Sequence, residues 1–343
     1  MEASEFEDGI AATNLLPGPA STQLAIFCAW RLQGPIGGIL GGICFIVPGL
    51  VLILLLSAVF LARNPPDWIL GAAAGAGAAV PGVALKAASG FVRPSWNRIG
   101  AETDQRMRWI MYALLGGSAA AVIGPYLVLI LVACGVFEII IRRDSLGTSA
   151  KPSRVVVGAI VGHVVAFGGF SALAWVAFKV GALSYGGGFV IVPLMQHDAV
   201  TTYHWMTGAQ FLNAVALGQI TPGPVVLTTA VIGYAAKGIR GGLFATVVAF
   251  APSFLFVLVG GPRFNQIRAN LVIQSFLTGA GPAVIGAIAG SAIPLGLSFQ
   301  HLWQIPVLAG AIFWLFVIRR GVVSGLLIAA GVGVVLALAG VSV

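Results

Sequence analysis

Two Pro-Gly-Pro triplets, Pro17-Gly18-Pro19 and Pro222-Gly223-Pro224, interrupt long apolar stretches. Proline lacks an N–H and its ring clashes with the preceding turn, while glycine accepts backbone angles closed to other residues. Each triplet therefore breaks a helix and strands main-chain polar groups. A half-helix that starts after such a break aims its free N–H groups and the positive end of its dipole at the gap, which suits an anion. Neutral donors flank both triplets: Ser21, Thr22 and Gln23 follow the first, Thr221 precedes the second, and Thr228 and Thr229 follow it. Asn14 and Gln219 stand three residues ahead of each first proline. Such hydroxyls and amides ligate an oxyanion without a permanent buried charge. The chemistry on offer is the binding and passage of an anion.

A third glycine cluster, Gly186-Gly187-Gly188, lies in an apolar stretch (182–196) too short for an ordinary span. By itself it reads equally as a surface for close helix approach or as a re-entrant turn whose N–H groups face a cargo. A lone Pro-Gly-Pro reads first as a kink. For Asn14 and Gln219, interhelical hydrogen bonding is the plain reading and contact with cargo or gate the alternative.

These residues sit in an unusually apolar chain. Of 343 residues 59% are hydrophobic and 8% charged, against about 25% charged in a soluble domain. Runs of roughly 20 apolar residues recur throughout, which predicts an all-α polytopic membrane protein in a lipid bilayer. A soluble enzyme, a disordered chain and a disulfide scaffold are excluded, and continuous rather than alternating apolar runs argue against a β-barrel. The net charge of +8 sits mostly in short loops and is read as a topology signal rather than a nucleic-acid surface. Cys28, Cys44 and Cys134 have no metal spacing, and His197, Asp198 and His204 form no complete ligand set. The sequence carries no nucleotide, zinc-hydrolase or serine-nucleophile motif, so neither an enzyme nor a cofactor is expected.

The chain also repeats itself. Pro17 matches Pro222 (222 − 17 = 205), Pro48 matches Pro252 (252 − 48 = 204), and Gly75–Gly82 matches Gly279–Gly286 (279 − 75 = 204). One single-residue gap reconciles three separated matches, which chance likeness among Gly- and Ala-rich helices does not. The expected organisation is a first repeat at 1–141, a polar linker at 142–154 and a second repeat at 155–343. A duplicated membrane protein with helices broken at matching positions is the pattern of a secondary transporter. With Arg142–Arg154 placed in the cytoplasm, an inverted second repeat puts Arg263, Arg268, Arg319 and Arg320 inside, and the positive-inside rule favours that over a parallel repeat.

Other polar residues carry paired readings. Lys86 and Lys179 snorkel to the interface or draw an anion toward the pathway. Arg31 sets topology and steers anions. Glu138 pairs with Arg142 one turn on, and a second role for it is proton coupling. His163 is a core histidine or a proton relay.

Three stretches resemble signatures of the chromate ion transporter family: Asn14–Ile26, Gly186–Leu194 and Ala216–Val225. They occur in order and the likeness covers nearly the whole chain. The resemblance implies a two-domain carrier that exports chromate from the bacterial cytoplasm, driven by the proton motive force, and confers chromate resistance. Sulfate, of the same shape and charge, is the related anion. Family members of this type open with a glycine-rich hairpin before the first Pro-Gly-Pro. Here Phe6 aligns with Phe211 (211 − 6 = 205), so Met1 falls on Met206, and the expectation is that the coding start lies upstream.

The expected function is therefore a multi-pass exporter of chromate or a sulfate-like oxyanion in the bacterial inner membrane, coupled to protons or a counter-ion, with a homodimer as one possible assembly. Its cargo would bind at Asn14, Pro17, Gly18, Pro19, Ser21, Thr22, Gln23, Gly186, Gly187, Gly188, Gln219, Thr221, Pro222, Gly223, Pro224 and Thr228 as one repeat rocks against the other. A partner-dependent membrane subunit and a passive anion channel are the alternatives.

Overall fold

The computed structural model describes residues 18–62, 64–100, 102–123, 127–142, 169–184, 186–260 and 270–342. Asn14, Pro17, His163 and the linker beyond Arg142 lie outside the described residues. Within them the chain is built of helices: α1 (Ala20–Phe60), α2 (Asp67–Arg98), α3 (Thr103–Ser118, continued by a wider turn at Ala119–Ile123), α4 (Leu127–Ile141), α5 (Phe170–Leu183), α6 (Val192–Gln196), α7 (Gly208–Ile220), α8 (Thr228–Gly260), α9 (Leu271–Gly290), α10 (Ala292–Leu297), α11 (Gln304–Phe316) and α12 (Val322–Leu338). Tight single turns at Gly186–Ile191 and Val225–Leu227 lead into α6 and α8. Leu, Ile and Val side chains stand exposed along most of these helices, as a lipid-facing surface requires. The chain is a multi-pass helical membrane protein.

The two longest helices are not straight. In α1 the backbone leaves helical angles at Gln33 (φ −137°, ψ 19°) and Gly34 (φ 67°, ψ −159°). In α8 it does so at Lys237 (φ −147°, ψ 27°) and Gly238 (φ 62°, ψ −157°). The two pairs are 204 residues apart (237 − 33 = 204) and nearly identical. Only glycine takes the second angle of each pair without strain. The result is a reversal: a methyl on Gly41 would run into Ala29, and one on Gly241 into the Gly233 carbonyl. Each long helix is thus a hairpin, with a short arm (20–32; 228–236) starting at a Pro-Gly-Pro break and a long arm (35–60; 239–260) returning across the molecule.

The long arms pack against each other head to tail. Gly38 lies against Leu258 and Gly242 against Leu54, while Gly42 meets Phe254. Shifting one contact by 204 gives its mirror (242 − 38 = 204; 258 − 54 = 204). Equivalent helices that cross antiparallel are related by a two-fold axis perpendicular to them. For membrane-crossing arms that axis lies in the bilayer plane, which is an inverted repeat.

Helices α2, α3, α4, α9, α11 and α12 are exchanged between repeats, while α5 packs on α8 of its own half. Gly75 on α2 lies against the Ala329 carbonyl on α12, and Gly279 on α9 against the Cys134 carbonyl on α4. Gly82 meets Leu308 on α11, and Gly286 meets the Ala113 carbonyl on α3. The first partners again differ by 204 and the second by 195 (329 − 134; 308 − 113). Nine fewer residues therefore separate the inner from the outer helices of the second repeat, a deletion that the motif matches alone do not reveal. Small residues permit these backbone approaches, which hold membrane helices together in the absence of a hydrophobic drive between them. A Gly286→Val change puts a branched side chain against main chain that cannot yield. We expect loss of monodisperse protein on fluorescence-detected size-exclusion chromatography, whereas Gly310→Val, with open space around it, should behave as the parent does.

Candidate anion site

Both breaks lie at mid-depth. Gly49 on the first long arm packs against the Pro222 carbonyl of the second break, and its repeat-equivalent, Ser253 (253 − 49 = 204), packs against Gly18 of the first. Gly49 is 14 residues beyond Pro35 and 11 before Phe60 (49 − 35; 60 − 49), or about 21 and 17 Å along the axis at 1.5 Å per residue. A hydrocarbon layer of about 30 Å places that level near its centre. Pro48 and Pro252, each one residue earlier, free the carbonyls of Cys44 and Val248 about one turn away.

The breaks have the backbone their glycines predict: Gly18 has φ 128° and Gly223 φ 140°, a region essentially closed to other residues. The third glycine cluster joins them. The Gly18 N–H donates to the Ser184 carbonyl, just ahead of the cluster. Gly188, with φ 90°, lies against Val225 beyond the second break and faces the Ser184 hydroxyl. All three motifs therefore meet in one continuous zone, and the short arms start from it on opposite sides.

Four side-chain atoms there are buried without a hydrogen-bond partner among the described residues: Thr22 Oγ1, Ser184 Oγ, Gln219 Nε2 and Ser253 Oγ. Thr22, Ser184 and Ser253 are 0% exposed. Leaving one such group unsatisfied costs about 1–3 kcal/mol, and native interiors rarely do so without a reason.

The expected site residues divide into groups. Gly18, Pro19, Thr22 and Gln23 are buried at the first break, while Ser21 points outward. The Gln23 amide covers Gly18. At the second break Pro222 and Gly223 are exposed and Pro224 is buried. Gly186 and Gly187 open the turn Gly186–Ile191, which also contains Gly188. Thr221 donates its hydroxyl proton to the Leu217 carbonyl at 2.7 Å, Thr228 to Val225 at 2.8 Å and Thr229 to Val226 at 2.6 Å. These three threonines are thus arranged as acceptors, and the donors of the zone are others. Ser184 and Ser253 escape the motif reading because a lone serine in an apolar span has no distinguishing spacing. Their signals are position: Ser184 stands two residues before the glycine cluster, and Ser253 follows Pro252 as Gly49 follows Pro48.

The family profile described as "Chromate transporter" matches residues 1–139 and 171–338. The chain belongs to the chromate transporter family. It is 30% identical over 300 residues to a chromate transport protein of Cupriavidus metallidurans, covering 85% of this chain and 73% of that one. It is 28% identical over 310 residues to a chromate transport protein of Pseudomonas aeruginosa, covering 86% and 72%. An uncharacterized transporter of Methanocaldococcus jannaschii is 24% identical over 325 residues, covering 90% and 78%. No solved structure matches.

Around the central zone of this family member lie two mirrored mouths. One is a cavity of about 300 Å³, lined by Ala74, Gln210, Asn213, Gln300, His301 and Gln304 among others. The other is lined by Gln105, Arg108, Trp109, Tyr112, Glu138, Arg142 and Thr278 and has no room for a water molecule. Ala74 and Thr278 differ by 204, and Gln105 and Gln300 by 195, so the two correspond under the repeat. The closed mouth holds the pairing expected of Glu138: its carboxylate accepts from Arg142 Nε at 2.7 Å, and also from Arg108 Nε at 3.1 Å and the Tyr112 hydroxyl at 3.0 Å.

The other candidate charges are engaged elsewhere. Lys179 is bound to Asp198 at 2.6 Å and lies over Trp175. Asp198 is thereby removed from any metal set with His197 and His204. Among the described residues no group of three ligating side chains gathers. Lys86 is half-buried with its ammonium 5.2 Å from the Phe316 ring centre.

Proposed function

We propose that this protein exports chromate from the cytoplasm across the bacterial inner membrane and so confers resistance, with the proton motive force as its energy source. Family membership supports chromate as cargo. The observation that carries the site is the meeting of both breaks and the glycine cluster around four unpartnered polar groups at mid-depth. A tetrahedral dianion there accepts from Thr22, Ser184, Ser253 and Gln219, and from the N–H groups that open the two short arms. The dipoles of those arms converge on it from the two repeats, 1–141 and 155–343, on either side of the linker. Sulfate-like anions share the shape and charge, so discrimination among them rests on size and on strength as acceptors.

The test is uptake into inverted vesicles that carry the full chain. Chromate should accumulate when the vesicles are energised and collapse when an uncoupler is added, and excess sulfate and molybdate should compete in order of their fit. Flux that persists unchanged after uncoupling would identify a passive channel. Vesicles that take up no chromate until a second protein is added would identify a partner-dependent subunit.

A further inference from the structure

The pseudo-two-fold relation identifies every position in one mouth with a position in the other. Applying the 195-residue shift of the outer helices, Arg108 corresponds to Trp303, Tyr112 to Val307, Glu138 to Gly333 and Arg142 to Ala337. The packing agrees: Gly279 touches Glu138 where Gly75 touches Gly333. The same helix pairing is therefore made on the open side without a charge. Scaffold requirements do not explain the ion cluster, since the mirrored scaffold stands without it. A buried ion pair is in any case weak support for stability, because desolvation offsets the attraction.

The cluster has the form of an occupied oxyanion site. Three donors, Arg108 Nε and Tyr112 Oη of α3 and Arg142 Nε just past the end of α4, converge on one carboxylate whose side chain is 2% exposed. Arginine binds carboxylates and tetrahedral oxyanions through the same planar donors. Gln105 and Thr278 line the mouth with their own donors already engaged, Gln105 Nε2 with Glu102 and Thr278 with the Gln274 carbonyl, and no other charged side chain lines this mouth among the described residues. α9 runs from here, at Thr278, up to contact with the Gly186–Ile191 turn. Arg93, Arg98 and Arg106 lie near the same end of α2 and α3, which the positive-inside rule assigns to the cytoplasm.

We propose that Arg108, Arg142 and Tyr112 form a second, peripheral docking site for a tetrahedral dianion at the cytoplasmic mouth, and that Glu138 occupies it as an internal counter-anion in the closed state. An arriving dianion exchanges with the carboxylate, and the mouth opens as Glu138 leaves. The inference rests on the export reading for its direction but names a site separate from the breaks.

Binding to the purified full chain tests it. Chromate absorbs where tryptophan emits, and Trp109 lines the mouth, so quenching reports occupancy. Glu138→Gln removes the competing charge and should tighten chromate binding about tenfold or more, the scale of a charge-assisted hydrogen-bond difference. Trp109→Phe in that background should abolish the added quenching. A monodisperse Glu138→Gln protein that binds chromate no more tightly than the parent overturns the proposal. Where that variant fails to fold, phenylglyoxal labelling of Arg108 and Arg142 in the unmodified chain, read by peptide mass spectrometry, takes its place. Chromate or sulfate should slow the labelling, and a rate indifferent to both anions overturns the proposal as well. Vesicles that transport chromate while both binding readouts stay flat remove the docking site alone. Docking without any chromate flux removes the export reading instead.

Discussion

Gly223→Leu should abolish chromate transport while leaving the protein folded and inserted. The backbone at Gly223 has φ 140°, and a residue with a side chain held there is strained by about 1–3 kcal/mol. That is enough to shift the break toward another conformation, yet small against the packing of the whole chain. The space also permits it: the residue is exposed, and a methyl there would meet only the end of the Leu227 side chain, at 2.8 Å. The change therefore acts on the geometry of the short arm's N–H groups rather than on the core. Uptake by inverted vesicles should fall to the level of empty vesicles, with membrane abundance and size-exclusion profile unchanged. Normal uptake by this variant would remove the second break from the site. Gly18→Leu is the less informative partner, because the Gln23 amide and the Ser253 hydroxyl crowd that position and misfolding would confuse the result.

The second large effect comes from deleting donors. The triple change Thr22→Val, Ser184→Ala and Ser253→Ala removes three buried hydroxyls that have no partner among the described residues. If they exist for structure, nothing is lost. If they exist for cargo, transport should drop by about a hundredfold or more, since each lost hydrogen bond to a charged ligand is worth about 1.5–3 kcal/mol. Thermal stability should rise at the same time, because an unsatisfied buried polar group destabilises the fold that contains it. The pairing of higher melting temperature with lost transport separates a binding role from general damage. A variant that transports as well as the parent would move the site elsewhere.

The architecture was largely legible in the residues. Composition alone predicts the membrane helices, and the Pro-Gly-Pro triplets with their 204- and 205-residue shifts predict broken helices in two equivalent halves. The hairpin reversals are less legible, because Gln33-Gly34 and Lys237-Gly238 are ordinary dipeptides whose role depends on φ. The 195-residue shift of the outer helices leaves no motif behind and becomes visible only through contacts such as Gly279 with Cys134. Within the site, the glycines and prolines announce themselves through backbone chemistry. The hydroxyls do not, since a threonine one turn into a helix can donate backward to its own carbonyls, as Thr228 and Thr229 do, and sequence does not distinguish it from Thr22. Arg142 was expected as Glu138's partner because they are one turn apart. Arg108 and Tyr112, 30 and 26 residues from it, were beyond the reach of that rule.

The exchange of helices between the repeats bears on what is free to travel. Sliding the two halves of the sequence past one another would shear seams in which glycine meets bare carbonyl, from Gly75 with Ala329 to Gly290 with Gly117. Those seams weld α2, α9 and the outer helices into a frame to which both halves contribute. The reversal glycines, Gly34 and Gly238, by contrast have open space around them. If the hairpins travel during transport, they are expected to carry with them what they grip, such as Gly181 against the Ala249 carbonyl, within a chassis that belongs to neither half.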